Sequence, residues 1–223
     1  MARGLALVLA LALDLAFGLA FARHAGADET ESEPTSVVAR VIAGARRQVG
    51  VTLIYDGRYQ RIEYPCGDVP IERGVCTDVV VRAFRHAGFD LQALLHEDML
   101  RSWSEYPKLW GHARPDANID HRRVPNLATY FRRHGETLPV SVRAQDYRPG
   151  DIVTWRLPSG SPHIGIVSDS AAAGRHLVLH NIGSGAQIDD VLFAYALTGH
   201  YRWVAAAAPD SAICGGSANT EAR

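Results

Sequence analysis

The hydrophobic pattern of this 223-residue chain changes at Pro149–Gly150, and this change limits the folds that the chain can adopt. Before this dipeptide, apolar residues mostly recur at helical spacing; after it, short apolar runs alternate with turn residues, as in antiparallel strands. The predicted helices span residues 36–50, 76–86, 91–103 and 126–134. The predicted strands span residues 51–55, 59–64, 151–156, 163–169, 176–182 and 199–204. Helices followed by antiparallel strands predict an α+β fold, with N-terminal helices packed on a C-terminal antiparallel sheet.

The charge balance excludes one class of function. Lys and Arg number 23 and Asp and Glu number 24, which gives a formal net charge of −1. A protein whose main partner is nucleic acid needs a surplus of positive charge to neutralise the phosphates. The contents of hydrophobic residues (47%) and charged residues (21%) are ordinary for a globular protein. We therefore expect a folded domain with no nucleic-acid partner.

The N-terminus has the order of a secretory signal peptide. Arg3 precedes an apolar stretch at residues 5–22, and small-x-small cleavage motifs lie at 20–22 and 25–27. A membrane anchor is the alternative, but so short a stretch with Asp14 in its middle would span a ~30 Å hydrocarbon core poorly. We predict that residues 1–27 are a cleaved signal peptide. The mature protein would then be periplasmic or otherwise exported, with no permanent membrane anchor.

The rest of the chain divides by composition. Residues 28–34 are mostly acidic and polar and predict a short linker. Residues 205–223 are rich in Ala, Gly, Ser and Asn and predict a flexible tail. Residues 35–204 contain no internal repeat and no linker, so we expect them to form a single domain.

Cys76 differs from the other two cysteines because an apolar helix is predicted to begin at it, directly after Gly74-Val75. A thiol at a helix N-terminus lies near the positive end of the helix dipole and near unpaired backbone N–H groups, which favour the thiolate. Asp78, in the same first turn, opposes this effect. The alternative roles are a buried small apolar residue or half of a disulfide. Because the number of cysteines is odd, at least one thiol has no intramolecular partner.

Two histidines are predicted to face each other across a hairpin. His163 begins one apolar strand, His180 lies near the end of the next, and the midpoint between them falls in the turn at residues 170–174. In symmetric register their side chains share one face of the sheet with Cβ atoms ~5 Å apart. A slip by one residue would place the two rings on opposite faces. A cysteine nucleophile, a histidine base and a second ring that fixes the tautomer of the first together form an activated nucleophile.

Six motifs resemble the bacterial family called domain of unknown function 1287, over residues 37–203. The motifs are GVCTDVV at 74–80, NIDHRRVPNL at 118–127, GDIVTW at 150–155, HIGIV at 163–167, HNIG at 180–183 and GHYR at 199–202. This family is grouped by similarity with the NlpC-like cell-wall cysteine peptidases of papain-like fold, in which a cysteine opens a helix packed on an antiparallel sheet. The order of Cys76, His163 and His180 along the chain agrees with that arrangement.

The resemblance implies a function and three catalytic roles. Cys76 would be the nucleophile, His163 the general base and acid, and His180 the group that orients His163. The protein would be an exported cysteine peptidase or amidase that cleaves amide bonds in the stem peptides of peptidoglycan or muropeptides. This reading requires no metal and no cofactor.

The resemblance also suggests where a substrate would bind. The backbone N–H of Cys76 would stabilise the oxyanion, with Tyr64 or Asp68 at the rim of the site. A cluster of charged residues lies in the long loop 107–125, which has no periodic pattern, and its guanidinium groups could hold a carboxylate of a stem peptide. The cluster consists of Asp120, His121, Arg122 and Arg123. A local network of ion pairs that pins the loop is the alternative.

Two other functions and two disulfide pairings remain open on the sequence. His163, His180 and His200 lie on three predicted strands and could hold a hydrolytic zinc ion with an open fourth position. A binding module for the cell wall, with the same fold and no catalysis, is the other alternative. In an oxidising compartment, Cys66 could pair with Cys214 or with Cys76.

Overall fold

The computed structural model describes residues 36–204 and Cys214. These residues fall within one compact unit, Glu33–Arg223. The predicted signal peptide at 1–27, the linker at 28–34 and all of the predicted tail except Cys214 lie outside the described residues. Within the described part of the chain, no helix is both long enough and apolar enough to cross a membrane.

Four α-helices form one layer of the fold, and each begins where its sequence offers a cap or a stiff first turn. Ser36 caps the first helix by accepting the N–H of Ala39 at 3.1 Å, and Asp90 caps the third by accepting the N–H of Gln92. The second begins at Cys76, and its N-terminus is closed by Asp78. The helices are α1 (Val37–Arg46), α2 (Cys76–His86), α3 (Leu91–Arg101) and α4 (Val124–His134). Short 3-10 helices span Trp103–Glu105, Asp120–Arg122 and Ala144–Asp146.

A six-stranded sheet forms the other layer, and every pair of neighbouring strands in it is antiparallel. Two very short strands, β1 (Ile54–Tyr55) and β2 (Arg73–Gly74), pair in parallel outside this sheet. The sheet contains β3 (Glu136–Thr137), β4 (Ile152–Arg156), β5 (Pro162–Ala172), β6 (Arg175–Asn181), β7 (Ala186–Asp189) and β8 (Ala196–Arg202). The strand order is β3-β8-β4-β5-β6-β7. The α+β class expected from the sequence is confirmed.

The sheet has an apolar core on each face because its central strands alternate between the two faces. Ile152, Ile164 and Ile166 are fully buried against the helices. The opposite face carries a smaller core, which contains Tyr147, Val153, Trp155, Val167, Val178 and Leu192. The helix-side core positions α2 against the sheet and brings Cys76 next to β5.

Two of the sequence-based strand predictions differ from the structure. Residues 59–64 form no strand, and only Ile54–Tyr55 of the predicted strand 51–55 is extended and paired. The β-branched and aromatic residues of these segments predicted strands, but no long partner strand lies beside them. Strand β7 was not predicted, although a Gly-rich turn at 183–185 leads into it.

Candidate active site

Cys76 lies at the first position of α2, where the helix meets the sheet. Val79 and Val80 are buried and pack this helix on the sheet. The backbone N–H of Ile164 in β5 and the first backbone N–H groups of α2 approach the thiol of Cys76. Asn181, at the end of β6, donates its side-chain amide to Gly74 O at 3.2 Å and so fixes the chain just before Cys76.

The state of the Cys76 thiol corrects one expectation. A position at a helix N-terminus led us to expect thiolate character, but the residue is only 4% exposed. Burial raises the pKa of the Cys76 thiol to about 12; the N–H of Ile164 opposes this, and the nearby Asp78 carboxylate raises the pKa further. Desolvation outweighs the helix dipole here, because removal from water penalises the charged form more than a few partial charges favour it. At neutral pH the thiol is therefore protonated.

Tyr55 contacts the thiol from the segment before α2. Burial, followed by the proximity of Cys76, raises the pKa of Tyr55 to about 12. The phenol therefore keeps its proton and can act as a donor. Much of the Tyr55 side chain is still exposed, so the aromatic ring forms part of the surface above the thiol.

The hairpin that carries the two histidines has a different register from the symmetric one predicted. Strands β5 and β6 meet in a two-residue turn, Ala173–Gly174, in which both residues have positive φ. Beyond a bulge between Val167 and Ala171, Ile166 pairs with Leu179. Continued along the strands, this register places His180 opposite Gly165, with His163 on the diagonal. A shift of two residues keeps both rings on one face, so the two histidines still meet.

The two histidines form a hydrogen-bonded chain that ends on a carboxylate. His163 Nε2 lies 2.9 Å from His180 Nδ1, and His180 Nε2 lies 3.1 Å from Asp189 Oδ2 in β7. An ionised carboxylate can only accept a hydrogen bond, so the proton of His180 is on Nε2. His180 Nδ1 then accepts from His163 Nε2–H, and the lone pair of His163 is on Nδ1. The network thus assigns His163 the tautomer of a general base, with Nδ1 as the basic atom.

Burial keeps both rings neutral. It lowers the pKa of His163 to about 3, and the neighbouring His180 lowers it further. Burial also lowers the pKa of His180, and Asp189 partly offsets that effect. A neutral imidazole is the form that can accept a proton from a thiol.

Cys76, the predicted nucleophile, lies next to the strand that carries His163, the predicted base. Ile164, whose backbone N–H approaches the thiol of Cys76, follows His163 directly in the chain. The ring of His163 packs on Trp155, with ring centroids 5.5 Å apart. Among residues 36–204 and 214, no hydrogen bond joins Cys76 to His163. The structure therefore holds a protonated thiol and a neutral base in neighbouring positions.

A buried ion pair supports the N-terminus of α2. Arg122 binds Asp78 through two hydrogen bonds of 2.9 Å, and both side chains are almost completely buried. Asp78 also accepts the N–H of Val75 at 2.6 Å, while Arg122 donates to the carbonyls of Asp56 and Arg58 at 2.8 and 3.0 Å. One guanidinium thus ties the cysteine helix to the segment that carries Tyr55.

The predicted substrate-binding residues lie away from the thiol or inside the protein. Tyr64 packs on His96 of α3, and Asp68 pairs with Arg82 at 2.8 Å; no described contact joins either residue to Cys76. Asp120, His121 and Arg122 are buried, and Arg123 binds Asp120 at 3.0 Å. These contacts agree with the alternative role of this cluster, a local network of ion pairs that holds the loop in place. A stem-peptide carboxylate could not reach Arg122 in this arrangement.

Sequence comparison identifies the family. A family model described as "Domain of unknown function (DUF1287)" matches residues 42–203. The chain belongs to the DUF1287 family. An Escherichia coli (strain K12) relative, "Uncharacterized protein YijF", is 58% identical over 161 residues, which are 72% of this chain and 78% of YijF. A solved structure, "Structure of NlpC1 from Trichomonas vaginalis", aligns with 14% identity and a TM-score of 0.43. That alignment covers 78% of this chain and 46% of the Trichomonas chain.

The geometry of this DUF1287 protein contradicts the alternative of a zinc site formed by His163, His180 and His200. His200 lies on β8 and binds Asp151 Oδ2 at 2.7 Å with Nε2, while its ring stacks on Tyr147. Among the described residues, its ligand nitrogens do not converge with those of His163 and His180. In the described part of the chain, the one convergent group of three possible ligands consists of Cys66, Asp90 and Cys214. In that group, the two sulfurs form a disulfide.

The disulfide decides between the two pairings left open for the DUF1287 chain. Cys66 is bonded to Cys214, and Cys76 is the free thiol. The pairing of Cys66 with Cys76 is therefore excluded in this structure. The thiol of Cys76, the candidate nucleophile, is therefore not blocked by a disulfide.

Two residues of the site were missed by the sequence reasoning. Asp189 supplies the carboxylate at the end of the histidine chain, and Tyr55 supplies the hydroxyl group beside the thiol. The Gly-rich turn before β7 could have predicted a third strand that brings Asp189 beside His180. No local signal points to Tyr55, because it reaches Cys76 through tertiary packing.

Proposed function

We propose that this protein is an exported cysteine peptidase or amidase that cleaves amide bonds through Cys76, His163 and His180. One observation carries the proposal: the free thiol of Cys76 lies beside the strand of His163, whose tautomer is fixed by a hydrogen-bonded chain through His180 to Asp189. Nucleophile, base and orienting group are the parts that covalent catalysis by cysteine requires. The substrate class that we propose is the stem peptide of peptidoglycan or muropeptides.

The proposed reaction begins with transfer of the Cys76 proton to Nδ1 of His163. The sulfur then attacks the carbonyl carbon of the substrate, and a tetrahedral oxyanion forms near the N-terminus of α2. The C–N bond breaks as His163 returns the proton to the leaving amine, which leaves a thioester on Cys76. Water, deprotonated by His163, hydrolyses the thioester, and the thiol regains its proton.

The resting pKa values oppose this first proton transfer, because burial raises the pKa of Cys76 to about 12 and lowers that of His163 to about 3. A thiol that is neutral until a base removes its proton does not form a permanent ion pair with His163, and it resists alkylation and oxidation before substrate binds. We expect the proton transfer to occur when the substrate binds and takes the place of Tyr55 beside the sulfur. His180 and Asp189 stabilise the imidazolium that forms.

Two features typical of exported proteins support the proposed function. The Cys66–Cys214 disulfide is typical of proteins in an oxidising compartment, and the sequence of residues 1–27 has the order of a secretory signal. A periplasmic location would bring the protein to its proposed substrate.

The test is turnover of purified muropeptides, followed by mass spectrometry, with the wild type and three variants. We expect Cys76→Ala to abolish cleavage and His163→Ala to lower it at least 1,000-fold, since both remove a reacting group. The matched control is His176→Ala, a histidine at the other end of β6, which should retain activity. Cleavage that survives in Cys76→Ala would overturn the proposal. Binding of muropeptides without cleavage by the wild type would instead support the binding-module alternative.

A further inference from the structure

A cleft of about 800 Å³ lies beside the segment that leads away from Tyr55. Tyr59, Arg61 and Ile62 form one wall, and the loop from His112 to Asn118 forms the other. His96 and Leu100 of α3 also line the cleft. Its size is in the range of pockets that bind peptides and other small ligands.

The walls of the cleft are held in place before any ligand arrives. Tyr59 donates its hydroxyl proton to Asp116 at 3.1 Å, and Asn118 accepts the backbone N–H of Ile62 at 3.0 Å. Asp116 also accepts the N–H of Asn118 at 2.9 Å, and its own N–H donates to Asp120 at 2.6 Å. These bonds join the two walls, so side chains on them are presented from a fixed frame.

Two arginines of the cleft have no anionic partner among the residues that the structure describes. Arg61 and Arg114, one on each wall, are exposed, and neither forms an ion pair with a carboxylate of residues 36–204. The carboxylate that lines the cleft, Asp116, is already bound by Tyr59 and Asn118. Most other arginines of the fold do bind a carboxylate, including Arg58, Arg82, Arg122, Arg133, Arg143, Arg175 and Arg202. The two free guanidinium groups are therefore available to bind carboxylates of a ligand.

The cleft lies within reach of the thiol. Tyr55 lies close to Cys76, and Arg61 follows it six residues later in the chain. A segment of this length spans at most ~20 Å, so Arg61 lies within that distance of Tyr55. A peptide of about six residues bound along this segment could place one bond at Cys76 and its carboxylates in the cleft. Ile62 and Leu100 offer apolar surface to the peptide between the charges.

We propose that the cleft with Arg61 and Arg114 is a subsite that selects peptides bearing two or more carboxylates. This inference rests on the proposed function, because it assigns a substrate feature to the same catalytic site. The two guanidinium groups bind side-chain or terminal carboxylates of the peptide, and the scissile bond lies toward Tyr55 and Cys76.

The subsite is tested by titration calorimetry with the full chain carrying Cys76→Ala, which prevents turnover. The probes are acetyl-Glu-Glu-Glu-amide and its uncharged analogue acetyl-Gln-Gln-Gln-amide. We expect the Glu peptide to bind at least tenfold more tightly than the Gln peptide, with an affinity that falls as salt is added. In the same background, Arg61→Gln and Arg114→Gln should each weaken binding of the Glu peptide about fivefold, as expected for partly exposed charge pairs.

Arg132→Gln is the matched control, since Arg132 is an exposed arginine on α4 that does not line the cleft. Equal affinity for the two peptides would overturn the proposal, and so would loss of affinity in the control as large as in Arg61→Gln. Displacement of the Glu peptide by inorganic phosphate at equal concentration would also overturn it, because the cleft would then be a general anion site.

The two proposals fail in different ways. The calorimetric readout needs no turnover, so a negative result leaves catalysis by Cys76 intact. Amide cleavage that persists in Cys76→Ala would overturn the catalytic proposal without changing the measured affinities. In the wild-type background, Arg61→Gln and Arg114→Gln should raise KM and leave kcat and the alkylation rate of Cys76 unchanged, which a general loss of structure would not do.

Discussion

At the scale of single residues, one carboxylate determines where the protons of the site lie. Asp189 accepts the Nε2 proton of His180, so His180 Nδ1 is unprotonated and accepts the Nε2 proton of His163. The Nδ1 atom of His163 therefore carries no proton. In cysteine and serine hydrolases, a similar hydrogen bond holds the base in the reactive tautomer. No described contact joins Asp189 to Cys76 or His163, so we propose that it acts as a positioning residue through His180.

Asp189→Asn tests this role. An amide can donate to His180 Nε2 and favour the opposite tautomer, so we expect kcat to fall about tenfold or more with little change in KM. Steady-state kinetics on muropeptides provide the measurement. Asp190→Asn is the matched control because Asp190 pairs with Arg175 instead of a histidine. Equal kcat values for the two variants would show that Asp189 does not set the tautomer.

At the scale of elements, the β5–β6 hairpin brings the histidines together only because Gly165 has no side chain. A Cβ atom at this position would lie 2.7 Å from Val178 Cγ1, 3.1 Å from Leu179 O and 3.2 Å from His180 Cβ. The first of these contacts is shorter than a side chain tolerates and the other two are tight, and all three atoms belong to β6. The glycine therefore permits the close approach of β6 that the His163–His180 bond requires.

Gly165→Ala should separate the two strands at this point. We expect a loss of about 1–3 kcal/mol in the free energy of unfolding, as for other overpacked core positions. We also expect kcat to fall by a larger fraction of its wild-type value than the free energy of unfolding does. Urea denaturation and muropeptide turnover provide the two readouts. Gly57→Ala is the control, since a Cβ there would meet only Val75 Cγ1 at an ordinary 3.5 Å. If Gly165→Ala behaves like Gly57→Ala in both assays, the close-packing argument is wrong.

The elements also show how far sequence reasoning could go. Helix α2 was predicted with both of its boundaries, because its apolar spacing and the glycines beside it are local signals. The register of the hairpin was not, because the bulge in β5 depends on packing between strands. The high pKa of Cys76 could not be foreseen either, since the burial that raises it depends on packing between segments distant in sequence.

At the scale of the whole molecule, the fold buries several neutral histidines, and this couples stability to pH. Burial lowers the pKa of His121 and of His163 to about 3 and also lowers the pKa of His180. In the unfolded chain these groups titrate near 6.5. Below that pH the unfolded state binds more protons than the folded state, so stability is present above pH 6.5 and is lost as the pH falls toward 3.

The variant His121→Met isolates one of these groups. His121 is buried with Nδ1 lacking a hydrogen-bond partner among the described residues, so Met replaces it without breaking a known bond. We expect the free energy of unfolding of the wild type to fall between pH 6 and pH 4. In the variant the slope should be smaller by about 1.4 kcal/mol per pH unit, which is one proton. Urea denaturation across this range gives both slopes, and identical slopes would contradict the assignment of a neutral His121.

The disulfide adds a second constraint on the whole chain. It joins residues 148 positions apart and fixes Cys214 beside the loop that carries Cys66. Because both of these cysteines are in the disulfide, Cys76 is the one free thiol among the three cysteines of the chain. A covalent intermediate, if one forms on sulfur, must form there.

Mapping of that intermediate tests the central claim most directly. The full chain is mixed with p-nitrophenyl acetate, quenched in acid within milliseconds to seconds, and digested for mass spectrometry. The account predicts a burst of one equivalent of p-nitrophenol and one acetyl group on Cys76. The burst should be lost in Cys76→Ala and slower in His163→Ala. A burst of unchanged size in Cys76→Ala, or an acetyl group on another side chain in the wild type, would contradict the assignment of Cys76 as the nucleophile.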